Sequence, residues 1–438
     1  MTKFLVVLAL LFTWHVNADN TQIIDDVAHI VEAQFVSPTV AATVATELRQ
    51  ADFKSKMAAI KDPKEFATKL TKALKAMSGD NHIGIVYSPA DVQRYRIRQQ
   101  AKTNPTAQKQ QASNHAQELA AAAAVNFGIQ QVRLLDGDVG YLEMSYFDGF
   151  VDESAPMFAA AMNMLAGAKI IILDLRRNGG GNSRILPLFL SYFLGPEPVH
   201  FATKTERWNN STEQLFTLSN VQGQRHLNKP IYILTSGTTF SLAEHLTYHL
   251  RAFNRAIVVG ERTYGGGRAF DPIVVNDDFY LRMPRVDVVN ALTKQIYKEG
   301  EGITPDVETT SQAAFHQAYL LALNALENQQ KNATQQQYYQ WVKRIVTAQA
   351  YPEQLQFPLP QLVKHHRFAD FEFEIRQHEL WLSFRKLPWV KLINLGHGYF
   401  YDDRSIQRQF SFLKGEHGFQ LNVYPVGEPP ISIKEVFD

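Results

Sequence analysis

The sequence has 438 residues, with 44 Lys and Arg against 43 Asp and Glu, no Cys, and a formal net charge of +1. So even a balance argues against a nucleic-acid binder or a polybasic membrane anchor, both of which need an excess of positive charge. The missing cysteines exclude a small disulfide-stapled fold, and a chain of this length can bury more than one apolar core.

Residues 1–3 carry Lys3, residues 4–14 are apolar, and Val16-Asn-Ala18 is a small-residue cleavage site. This is the layout of a secretory signal peptide over residues 1–18, too short to act as a stable membrane span. The mature chain is expected to start at Asp19 and to be exported, to a periplasm or outside the cell. Residues 19–88 read as a helical domain of three helices. Ile23, Ile24, Val27, Ile30 and Val31 fall on one face. Val44, Leu48, Phe53, Met57 and Ile60 form a second segment, and Phe66, Leu70, Leu74 and Met77 a third. The domain ends in the turn Ser78-Gly-Asp-Asn-His82 and a strand over 83–87. Residues 89–130, rich in Gln and Ala, fit an exposed helix or a linker.

From residue 131 to 310, strands alternate with helices: strands at 139–144, 169–175, 231–236 and 256–260, and helices at 152–166, 183–194 and from Ser241 onward. Hairpin-like strands follow near 270–285. The alternation predicts an α/β core with parallel strands. Residues 311–347 read as a helical connector. In 348–438 the alternation of Phe371, Phe373 and Ile375, then Leu380, Leu382 and Phe384, predicts a β-rich C-terminal domain.

Three features could carry chemistry. Ser241 lies on a strand-to-helix turn, where free N–H groups and the helix dipole favour negative charge. It is either an acyl-transfer nucleophile or only an N-cap. Asp174-Leu-Arg-Arg-Asn-Gly-Gly-Gly181 follows a buried strand, and its glycines would let backbone approach a ligand; it lacks the spacing of a phosphate loop. A serine nucleophile needs a base, and His82, on a turn between helix and strand, is the best placed of 14 histidines. His245 and His249 stand at i, i+4, but the Glu of a zinc-binding H-E-x-x-H helix is replaced by Leu246, which favours structural or surface histidines over ligands.

These signals coincide in one family. Residues 230–244, Pro-Ile-Tyr-Ile-Leu-Thr-Ser-Gly-Thr-Thr-Phe-Ser-Leu-Ala-Glu, resemble the nucleophile segment of the S41 serine peptidases, the tail-specific or C-terminal processing proteases. Val259-Gly-Glu-Arg-Thr-Tyr-Gly-Gly-Gly267, Leu173-Asp-Leu-Arg-Arg-Asn-Gly-Gly-Gly181 and Glu299-Gly-Glu-Gly-Ile-Thr-Pro-Asp306 resemble three further motifs of that family. Asp80-Asn-His82, and the stretch from Asn126-Phe-Gly128 to Leu142, resemble the branch containing interphotoreceptor retinoid-binding protein and the tricorn core protease. The likeness spans roughly residues 20–310.

The resemblance implies an α/β fold, a crotonase/ClpP-like ββα superhelix core with an N-terminal helical bundle and a C-terminal β-rich domain. It implies a serine peptidase acting through an acyl-enzyme on a peptide or protein substrate, with no cofactor and no metal. Ser241 would be the nucleophile, His82 the base and Glu299 the carboxylate that orients it. The backbone N–H groups of Leu242 and Gly180, with Gly181 as a substitute for the latter, would form the oxyanion hole. The processing proteases carry a base lysine 25 residues after the serine; here that position is Gly266. Asn81 stands where the tricorn pattern has serine. The rival expectation is a binding protein that holds apolar ligands or peptides in the same cleft without chemistry.

Overall fold

Val139–Met144, Ile170–Asp174 and Ile231–Thr235 are buried at every position, the pattern of strands covered on both faces. In the computed structural model they lie at the centre of a six-stranded sheet. Its order is Val307–Glu308, Ala256–Gly260, Ile231–Thr235, Ile170–Asp174, Val139–Met144 and Ile129–Leu135. All neighbours are parallel except the last pair, an antiparallel hairpin. Helices Val151–Met164, Leu186–Ser191 and Leu242–Ala252 cover one face around Phe158, Phe189 and Leu246. Helices Ala314–Gln329 and Ala333–Ala350 cover the other. This is the mixed α/β core expected from the alternation. The structure describes residues 20–297, 299–352, 358–363, 368, 370–415, 418–425, 428 and 430–434; the leader expected at 1–18 lies outside them.

A second, antiparallel sheet positions the functional turn. Its path runs Gly84–Tyr87, Phe279–Asn290, His200–Glu206, Ser211–Phe216, and Ala269–Val274 also pairs with Phe279–Asn290. The N-terminal helices pack on this sheet, so that Phe66, Leu70 and Leu74 share one core with Phe279, Leu281 and Met283. The hairpin 200–216 was not expected from the sequence. Its second strand is mostly exposed and lacks the alternation that would have marked it.

The N-terminal region holds four helices rather than the three expected: Asn20–Gln34, Pro38–Leu48, Ala51–Ala58 and Pro63–Ser78. Gln50 takes an extended backbone (φ −62°, ψ 133°) and divides the second segment. The fourth helix starts where Asp62 accepts the N–H of Glu65 at 2.7 Å with Pro63 at its first turn. It stops at Gly79, whose φ of +67° suits a residue without Cβ. That stop turns the chain into Asp80, Asn81 and His82. Residues 89–124 form two helices, Pro89–Gln100 and Pro105–Ala124, with few buried residues.

At the C-terminal end, seven antiparallel strands between Phe371 and Lys434 pair in chain order as a half-barrel around Phe400, Phe410 and Leu421. The buried Gln409 fastens it to helix Ala333–Ala350, accepting from Arg344 at 2.9 Å and donating to the carbonyl of Trp341 at 3.3 Å.

Candidate active site

Ser241 sits at the N-cap of helix Leu242–Ala252 with φ 55° and ψ −119°. A positive φ is costly for a residue with a Cβ and persists only where its surroundings fix it. Here they do. Before it, Thr239 donates to the carbonyl of Leu175 at 2.8 Å, and the N–H of Phe240 to the carbonyl of Asn178 at 3.1 Å. After it, Glu244 accepts the N–H of Ser241 at 2.8 Å, the carboxylate half of a capping box. The S-x-x-E spacing was a local signal for this role that the sequence reading did not use.

His82 comes to Ser241 from the other sheet, 159 residues earlier in the chain, with Nε2 3.1 Å from the serine Oγ. Its Nδ1 faces Oε1 of Glu299 at 3.4 Å, and both side chains are almost wholly buried. Glu299 is held in place by backbone: its carboxylate accepts the N–H groups of Asn81 (2.9 Å), Gly267 (2.6 Å) and Arg268 (3.0 Å). The His82 turn is held by Asp80, whose Oδ1 accepts the N–H groups of His82 (2.8 Å) and Ile83 (3.2 Å). The Asn81 side chain donates to the carbonyl of Gly265 at 3.1 Å, so only its backbone meets Glu299. The structure therefore brings Ser241, His82 and Glu299 together.

The expected oxyanion donors are placed as follows. Leu242 opens the helix, so its N–H has no intrahelical acceptor. Gly180, at φ +97°, lies directly against Ser241: a Cβ there would stand 2.7 Å from that of the serine. Its N–H, however, donates to Oδ1 of Asn178 at 2.8 Å. Gly181 is bridged to Phe147, which donates to the carbonyl of Gly180 and accepts from Asn182. That pattern turns the N–H of Gly181 itself away from Phe147.

Gly266, where the processing proteases carry lysine, packs against His82. A Cβ there would lie 2.7 Å from Cε1 of His82 and 2.2 Å from Cε2 of Phe240. Phe240 itself stacks on the imidazole with ring centroids 4.5 Å apart. The imidazole and a side chain at 266 compete for one volume.

Asp80, His82 and Glu299 are also the only trio of candidate metal ligands among the described residues, with donor atoms within 4.8 Å. The second oxygen of Asp80 is buried and has no hydrogen-bond partner. Burial raises the Asp80 carboxyl, the nearby Glu299 charge adds to this, and Arg268 works against it. The Arg268 guanidinium, 3.5 Å from that oxygen and 3.5 Å from Asp287, already supplies positive charge at the place a cation would take.

His245 and His249 lie on the buried side of helix Leu242–Ala252 with ring centroids 6.3 Å apart. Nδ1 of His249 accepts from Asn290 at 2.9 Å. Burial pushes His245 down to about 4, with His82 adding to the effect, and pushes His249 down to about 3. Both are core residues, where the sequence leaves structural and surface roles open.

Two family models match the chain: one described as peptidase family S41 over residues 138–309, and one described as the N-terminal domain of Peptidase_S41 in eukaryotic IRBP over residues 14–129. Ser241, Gly180 and Glu299 fall in the first span and His82 in the second. Among solved structures, a lipoprotein from Streptococcus agalactiae is similar at 16% identity, covering 73% of this chain and 100% of that one, with a TM-score of 0.46. The photosystem II D1 C-terminal processing protease matches at 13% identity, with 68% and 94% covered and a TM-score of 0.42. Mature CPAF matches at 12% identity, with 75% and 97% covered and a TM-score of 0.42.

Two outcomes are expected. Gly266→Ala should slow the reaction of Ser241 with a fluorophosphonate by about 100-fold, because displacing a base by ~1 Å costs that much. Gly167→Ala, where an added Cβ meets nothing within 4 Å, should leave it unchanged; equal rates in the two variants would refute the packing argument. For His245 and His249, the folded pKa is depressed, so the unfolded chain binds more protons below about 6.5. Their contribution to stability is complete above that pH and is lost as pH falls towards 4 and 3. Denaturant unfolding should show about 2 kcal/mol lost per histidine between pH 7 and pH 5, and His249→Leu should remove one such share. A pH-independent midpoint over this range would contradict it.

Proposed function

Because this chain belongs to peptidase family S41, we propose that it is a serine peptidase cleaving peptide or protein substrates through Ser241, His82 and Glu299. The observation that supports this most is the continuous contact from Ser241 Oγ to His82 Nε2 at 3.1 Å and from His82 Nδ1 to Glu299 at 3.4 Å. In this reading His82 takes the hydroxyl proton as Oγ attacks the substrate carbonyl, and the C–N bond breaks as the same proton passes to the leaving amine. A water then repeats the sequence on the acyl-enzyme. Glu299 keeps the proton on Nδ1 and balances the imidazolium. The 3.4 Å gap is long for a hydrogen bond, as is common before substrate binds. Leu242 supplies one N–H to the developing oxyanion, and the Gly180–Gly181 pair the other, either from Gly181 or from Gly180 once released by Asn178.

Export is part of the proposal. The leader-like pattern of residues 1–18 supports it, and no helix among the described residues is long and apolar enough to cross a membrane.

Ser241→Ala should abolish both fluorophosphonate labelling and peptide hydrolysis, with unfolding free energy within about 2 kcal/mol of the parent, the upper cost of a lost cap. Retained hydrolysis in that variant would end the assignment. Glu299→Gln should lower kcat by roughly 10²–10⁴, less than His82→Ala does, since the carboxylate orients the base but does not move the proton. An undiminished rate in Glu299→Gln would show that His82 works without it.

A further inference from the structure

Two aromatic rings meet the His82 imidazole, and a third packs on one of them. Phe240 stacks on His82 at 4.5 Å, Phe270 approaches the imidazole at 5.8 Å, and Tyr264 packs edge-on against Phe240 at 5.1 Å. Phe240 is partly covered, whereas Tyr264 is 52% exposed and Phe270 38%. The Arg282 guanidinium lies 5.8 Å from the Phe270 ring centre and steadies it. Scattered apolar residues on a surface mean little. Two exposed aromatic rings beside a part-buried serine–histidine contact are different, because the reaction brings a defined part of the substrate there.

Which part follows from the proton's path. The imidazole that deprotonates Ser241 must hand its proton to the leaving amine, so that nitrogen comes within about 3 Å of Nε2. Its Cα lies only about 1.5 Å further on. The side chain of the residue following the cleaved bond therefore lands among the groups around His82, while the acyl side of the substrate points towards Leu242 and the Gly180 loop. Aromatic faces reward an apolar or aromatic side chain there. Asp80 and Glu299, buried close by, disfavour an acidic one.

We propose that Tyr264 and Phe270 form the leaving-side specificity subsite, selecting an apolar, above all aromatic, residue immediately C-terminal to the cleaved bond. The proposal rests on the peptidase reading above. The test uses the full-length protein and four quenched fluorescent peptides identical except for Phe, Leu, Gly or Asp at that position. Fluorophosphonate labelling of the same preparation is read in parallel. The Phe and Leu peptides should exceed the Gly and Asp peptides in kcat/KM by about tenfold or more. Tyr264→Ala, at a half-exposed position where the fold tolerates truncation, should compress that ratio to below about threefold, and Phe270→Ala should do the same. Labelling combined with equal cleavage of all four peptides would overturn the subsite while leaving the peptidase reading intact. A uniform loss across the four peptides in both variants would mean that the rings only seat His82, and would also overturn it. No labelling at all would remove the peptidase reading and the subsite with it.

Discussion

Four consecutive backbone N–H groups, those of residues 265 to 268, end on two buried carboxylates. Gly265 and Gly266 donate to Glu244, and Gly267 and Arg268 to Glu299. Glu244 also accepts from Thr263, from Tyr297 and from the N–H of Ser241, so a fully buried acid carries five donors. A carboxylate withdrawn from water is tolerated only when its lone pairs are met in this way. The loop therefore cannot shift without stripping donors from one charge or the other. Through Glu244 it fixes the strained backbone of Ser241, and through Glu299 it fixes the acid beside His82. One network sets both halves of the site, and such networks gain from their shared members.

The same network explains why the N-terminal helices belong to the site rather than beside it. His82 lies just ahead of strand Gly84–Tyr87, which pairs with Phe279–Asn290 from Gly84↔Arg282 to Tyr87↔Phe279. The helices bury Phe66 and Leu74 against that sheet, and the N–H of Asn81 closes onto Glu299. Sheet pairing sets where the turn lies, and the carboxylate sets how it is oriented.

Gly266 and His82 are coupled by volume. A side chain at this position would enter the space held by the edge of the imidazole and the ring of Phe240. A serine–lysine arrangement built from residue 266 and a serine–histidine arrangement built from residue 82 are thus alternative fillings of one cavity. This chain has the glycine and the histidine together, which is the combination that packs.

Much of this was legible in the sequence where the cause is local. Short apolar runs marked the strands of the α/β core, period-2 alternation the C-terminal strands, and a 3.6-residue period the helix capped by Ser241, because neighbouring residues decide them. The strand-to-helix turn made Ser241 a candidate and the helix-to-strand turn made His82 one, and likeness to family motifs brought in Glu299. The tertiary structure decided the rest. It divided the second N-terminal segment at Gln50, whose extended backbone no Gly or Pro announces. It paired the mostly exposed strand Ser211–Phe216. It engaged the N–H of Gly180 with Asn178, and it loaded Glu244 with donors from three separate stretches of chain. Those outcomes depend on which backbone amides come to face which carboxylate after the loops close, and no spacing along the chain encodes that.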